Sequence, residues 1–173
     1  MICSTCTQRI FGEGTGENGL MILGGIPSSE DIKAGRPFVG KQGALLDSIL
    51  SSAGISRKET YITTMIKCAN PTPNNDEIMS CLDILAEELE EISPQIILCL
   101  GEFVAKNLIK DDFVMNRDHG LEYLAPNGMF VIGTYHPQYI LSQEGAQLKQ
   151  AKANIWSDIK KIASAMREIK GKK

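Results

Sequence analysis

The chain alternates between short, almost wholly apolar runs and longer segments in which apolar residues recur every three or four positions. Gly19–Gly25 (GLMILGG), Tyr61–Lys67 (YITTMIK) and Gln95–Leu100 (QIILCL) are apolar or β-branched nearly throughout, as strands covered on both faces are. Leu45, Leu46, Ile49, Leu50 and Ala53 make one apolar stripe over Gln42–Ala53, which Gly54 ends. Ile78, Leu82, Leu85, Leu89 and Ile92 do the same over Asp76–Ile92. A helix over Gly101–Ile109 follows the third strand. Gly120–Leu124 and Met129–Tyr135 flank Pro126-Asn127-Gly128, a hairpin pattern whose second arm supplies a fourth core strand. Gly145–Ile169 reads as a long last helix with a lysine-rich end. Strands alternating with helices predict an α/β fold, a three-layer α/β/α sandwich around a central, mostly parallel four-stranded sheet.

A length of 173 residues, 43% hydrophobic and 23% charged, suits one domain, 1–173, with a core of its own. No apolar run is long enough to span a membrane, so no membrane partner is expected. MICSTCTQRI lacks the basic-then-apolar order of a signal peptide, and the expected compartment is the cytoplasm. Nothing marks an oligomer, so a monomer is expected. The net charge of −3 argues at first against a nucleic-acid partner. However, Asp76, Glu77, Asp83, Glu87, Glu88, Glu90 and Glu91 fall in one stretch without Lys or Arg, and the remainder of the chain is net positive. One acidic helix can mask a basic face elsewhere, or it can simply be a solvated face.

In an open parallel sheet, ligands bind beyond the carboxyl ends of the strands. Three unusual segments follow strands here. Gly24–Gly43 (GGIPSSEDIKAGRPFVGKQG) follows the first, Lys67–Asn75 (KCANPTPNN) the second, and Tyr135–Leu141 (YHPQYIL) the hairpin. All three are expected on one rim. Phe38 is the lone aromatic of the first, and Pro37 with the flanking glycines puts it on a loop. Lys33, Arg36, Lys41 and Lys67 are candidate phosphate contacts, and Glu30 and Asp31 read as surface acids.

Five cysteines are many for a reducing compartment, and an odd number cannot all pair. Cys3 and Cys6 form a C-x2-C pair, Cys68 ends the second strand and Cys81 lies in the acidic helix. Such a pair with two distant cysteines closes a tetrahedral cage for zinc or an iron–sulfur cluster, and ligand count does not separate the two. Cys99, inside IILCL, reads as a core thiol.

These pieces combine into a specific pattern. CSTC, FGEGTGE, GRPFVGKQGALLD, YITTMIKC, DEIMSCLDIL, PQIILCLGEFVAKNL and TYHPQYIL together resemble the iron–sulfur, family-four type of uracil-DNA glycosylase. The resemblance implies removal of uracil or another deaminated base from DNA by hydrolysis of the N-glycosidic bond, in base excision repair. It implies that Cys3, Cys6, Cys68 and Cys81 hold a structural [4Fe–4S] cluster, with zinc as the alternative. It assigns His136 to stabilising the charge on the departing base. Phe38 would stack on the flipped base, and backbone contacts would come from Gly24, Gly25 and Ile26. His119, the other histidine, reads as a turn residue.

Two positions depart from the family pattern. Gly25 stands where the family has a glutamate associated with the attacking water. Thr64 stands where the family has an asparagine that pairs with the base edge, and a hydroxyl makes fewer hydrogen bonds than an amide. A weakened or re-aimed glycosylase is the expectation, with a catalytically inactive nucleic-acid-binding relative that keeps a structural cluster as the alternative.

Overall fold

In the computed structural model, residues 8–171 are described. Cys3 and Cys6, expected as ligands, therefore lie outside the described residues. The first strand, β1 (Leu20–Gly24), is buried at every position. A short helix α1 (Ser29–Ala34) and then α2 (Gly40–Ser52) lead to β2 (Tyr61–Thr64). Next come α3 (Asn75–Ile92), β3 (Ile96–Leu100), α4 (Glu102–Leu108), α5 (Met115–Asp118), β4 (Glu122–Leu124), β5 (Phe130–Thr134), α6 (Pro137–Leu141) and α7 (Gly145–Gly171).

The strands form one sheet in the order β2-β1-β3-β5-β4, parallel except for the antiparallel edge pair β4–β5. The α/β architecture expected from the sequence is present, but the sheet has five strands among the described residues rather than four. The additional strand is the first hairpin arm. It spans 3 residues and is largely solvent-facing, so it lacks the continuous apolar run that marks the other four.

Register sets the working edge. Gly24 pairs with Thr64, Leu23 with Cys99, and Leu100 with Thr134. Thr64, Gly24, Leu100 and Thr134 therefore end their strands in one row, and the segments following them share a rim. From β1 the chain steps outward to β2, whereas from β3 it steps the other way to β5. Right-handed crossovers then carry α2 and α4 to opposite faces. The crevice between the ends of β1 and β3 is the topological switch point, where such sheets bind ligands.

The loop after β1 contains a helix that its glycines and prolines concealed. Ser28 and Asp31 close a capping box on α1, the Ser28 hydroxyl accepting from Asp31 N–H and the carboxylate accepting from Ser28 N–H. The S-x-x-D spacing was the available signal. Among the described residues no helix is long and apolar enough to cross a membrane.

Candidate active site

Phe38 sits in the left-handed region, with φ of 53°, a conformation that costs a non-glycine residue energy unless its surroundings impose it. They do so from three sides. Asp31 Oδ1 accepts from Val39 N–H at 2.8 Å. Arg57 Nη2 donates to the carbonyls of Pro37 at 2.9 Å and Phe38 at 3.2 Å, while Glu13 and Asp47 hold the same guanidinium. The ring is buried, 5% exposed, and lies over Gly24, whose missing side chain makes room for it: a Cβ there would stand 2.5 Å from Phe38 Cζ. Its other neighbour is His136, at 5.7 Å between ring centres.

His136 follows β5 and caps α6, with Nδ1 accepting from Gln138 N–H at 3.0 Å. A neutral imidazole whose Nδ1 accepts must carry its proton on Nε2. Burial keeps the ring neutral, holding its pKa down at about 4 against a weaker opposing pull from Asp31. The side-chain amide of Gln42, early in α2, donates to Gln138 Oε1 at 2.8 Å and joins the starts of α2 and α6. Thr134 and Tyr135 anchor the strand end behind His136. The Thr134 hydroxyl donates to buried Asp158, which also meets His119 Nδ1 at 2.9 Å, and Tyr135 OH donates to Asn116. His119 is thus a brace for this strand end through α7, more than a turn residue.

Thr64 ends β2 beside Gly24. Its hydroxyl is buried and makes no hydrogen bond among the described residues. An orphaned buried hydroxyl costs about 1–3 kcal/mol, which a ligand reaching it would relieve. Gly25 faces away from Phe38: a Cβ there would meet Phe103 Cδ1 of α4 at 3.1 Å and Val104 Cγ2 at 3.6 Å. Ile26, half-buried, is the next residue on the rim. A cavity of about 290 Å³ opens on the α4–α5 side of His136, with Glu102, Asn116 and Tyr139 among its walls.

Several sequence expectations change here. Lys67 grips no phosphate. It is fully buried, and its ammonium donates to Glu88 at 2.6 Å and to Thr63 at 2.8 Å. Arg36 is exposed but paired with Glu13 at 2.9 Å. Lys33, Lys41 and Glu30 are solvent-exposed. Asp31 is a buried loop clamp, not a surface acid. Asp158, Arg57 and Phe103 gave no sequence signal, because their roles depend on which strands lie side by side.

Cys68 and Cys81 are both buried, at 7% and 3% exposure, and Lys67 N–H points at Cys81 Sγ from 3.4 Å. Glu13 pairs antiparallel with Ile62, and Ile10 N–H donates to Lys67 carbonyl. The chain from Glu13 back to Ile10 therefore runs toward the end of β2 that leads to Cys68. Glu88 accepts from Gly12 N–H as well as from Lys67 and Thr63. This buried knot binds together the first described segment, β2 with its extension, and α3, the last two carrying Cys68 and Cys81. Two buried sulfurs with an N–H directed at one of them fit thiolate ligation of a metal or cluster. Cys99 is the expected core thiol, pushed up to about 12 by burial.

The uracil DNA glycosylase superfamily model matches residues 11–160. The type-4 uracil-DNA glycosylase of Thermotoga maritima is 31% identical over 178 residues, covering 96% of this chain and 90% of that protein. That of Archaeoglobus fulgidus is 33% identical over 189 residues, covering 100% of this chain and 90% of that protein. That of Pyrobaculum aerophilum is 40% identical over 106 residues, 60% of this chain and 54% of that protein. On the match across most of its length, the chain belongs to the uracil DNA glycosylase superfamily, in its type-4 branch.

Proposed function

We propose that this protein is a monofunctional DNA glycosylase that removes uracil, or a related deaminated base, from DNA in base excision repair. The observation that carries the reading is the convergence, at the switch point of the sheet, of the clamped Phe38 ring, the orphaned Thr64 hydroxyl and a neutral His136 with its proton on Nε2. The family match supports it.

The nucleotide leaves the stack, or comes from a single strand, and its base enters the crevice. Phe38 takes the base face, and the backbone at Gly24, Gly25 and Ile26 supplies contacts beside it, with Gly24 lacking the Cβ that would collide with the ring. Thr64 meets the base edge with a hydroxyl that both donates and accepts, so it discriminates less sharply than an amide. As the N-glycosidic bond breaks, its electron pair goes to the base. Charge grows on the base carbonyl, and His136 Nε2–H donates to it. A neutral donor fits this role because it stabilises a developing anion without first forming an ion pair in the ground state. Water then bonds to the sugar C1′ and loses a proton to solvent. Gly25 provides no carboxylate for the water or the cationic sugar, and the turnover expected is correspondingly slow.

Cys68 and Cys81, with Cys3 and Cys6, are the proposed ligands of a [4Fe–4S] cluster, which would supply structural cross-linking and not chemistry. The protein is read as one glycosylase domain over 1–173, a monomer acting on DNA in the cytoplasm, without a membrane partner.

The test is base release from single- and double-stranded oligonucleotides carrying uracil, hypoxanthine or xanthine, with enzyme in excess and His136→Ala as control. Release of uracil that disappears in the control is the expected result. Absence of release from every substrate, by protein with its metal intact, would replace the enzyme with the non-catalytic binder.

A further inference from the structure

Gly24 and Gly25 are consecutive, and the two sides of this backbone are covered by two different rings. Phe38 covers Gly24 from the α2 side, and Phe103 covers Gly25 from the α4 side. The rings differ in one respect. Phe38 is 5% exposed, whereas Phe103 is 39% exposed and stays half-open at the switch-point rim. Glu102, the residue before it, lines the cavity that also contains His136. The Phe103 ring itself stands against Gly25, just past the end of β1, where a nucleotide seated at the switch point would cover its open part.

We propose that Phe103 is a substrate-binding residue, the second aromatic wall of the nucleotide slot, contacting the deoxyribose of the extruded nucleotide. Gly25 and Phe103 then act as one unit. The ring already occupies the approach that a side chain at position 25 would use, since a Cβ at 3.1 Å requires the ring to yield by a few tenths of an ångström. The sugar meets an apolar face where a carboxylate would otherwise stand. This inference rests on the glycosylase reading above.

The experiment compares wild type, Phe103→Ala, Phe103→Leu, Gly25→Glu and the double variant Gly25→Glu/Phe103→Ala. It measures dissociation constants for single-stranded oligonucleotides carrying uracil or a stable abasic-site analogue, together with single-turnover base release. Losing the apolar contact between the ring and the sugar is expected to weaken binding roughly fivefold in Phe103→Ala, and less in Phe103→Leu. Gly25→Glu alone is expected to gain little release. The double variant is expected to exceed both single variants, because the carboxylate then has room. Circular dichroism and the unfolding midpoint control for folding. If Phe103→Ala binds both oligonucleotides within twofold of wild type, and the double variant shows only additive effects, the Phe103 proposal is wrong while the glycosylase reading stands. If wild type itself neither binds nor releases, both fail.

Discussion

Thr64 is maintained at a cost that an empty protein gains nothing from. Thr64 buries a hydroxyl with no partner, so Thr64→Val should leave stability unchanged or raise it by about 1 kcal/mol, while weakening base binding. Equilibrium denaturation and oligonucleotide titration on the same variant check this. A loss of both stability and binding would mean the hydroxyl is structural. His136 adds a pH dependence. Unfolded, its imidazole titrates near 6.5, and folded it is held at about 4. Between those values the unfolded chain takes up a proton that the native chain does not. This contribution is therefore fully present above pH 6.5, falls as pH drops toward 4, and levels off below. It amounts to at most about 3 kcal/mol, less where water reaches the ring. In His136→Gln the slope of stability against pH across this window should flatten, as denaturant midpoints measured from pH 4 to 7 would show.

At the scale of elements, the site is held by connections between helices and loops. Asp31 caps α1 and clamps Val39, so one carboxylate joins helix formation to the strained backbone at Phe38. Asp31→Ala should cost about 1–3 kcal/mol and weaken base binding by releasing the ring, whereas Asp31→Asn should recover part of both. The acidic helix α3 is also more than a solvated face, since Glu88 pairs with Lys67 in the interior. Lys67→Met leaves that carboxylate without its cation and should destabilise by about 3 kcal/mol, with Lys67→Met/Glu88→Leu recovering only part of the loss because Gly12 N–H and the Thr63 hydroxyl then lose their acceptor. Urea unfolding of the two variants decides between this and a pair that contributes little. The helix around Glu88 was legible from apolar spacing. The pairing was not, because Lys67 and Glu88 are 21 residues apart and meet only when α3 packs on β2.

At the scale of the whole molecule, Cys68 and Cys81 belong to segments that the Glu88 knot already gathers. Metal loss is therefore expected to lower stability without abolishing the fold. Cys68→Ser should lose stoichiometric iron and visible absorption, and should unfold at lower denaturant while its far-ultraviolet dichroism persists. Colourless wild-type protein, purified without air and carrying stoichiometric zinc, would assign the site to zinc.

Sequence alone determined what depends on local chemistry and short-range periodicity. That includes the four core strands with their apolar runs, the long helices with their stripes, the cysteine spacing, and the placement of Phe38 and His136 on loops after strands. Tertiary structure decided what depends on neighbours distant in the chain. Register put Thr64 and Gly24 side by side. Packing turned Lys67 inward and Asp31 into a clamp, and the opposite crossovers set Phe38 and Phe103 on two sides of one glycine pair. The physical reason is that burial and pairing energies belong to contacts between segments. No residue type announces them until the sheet order brings those segments together.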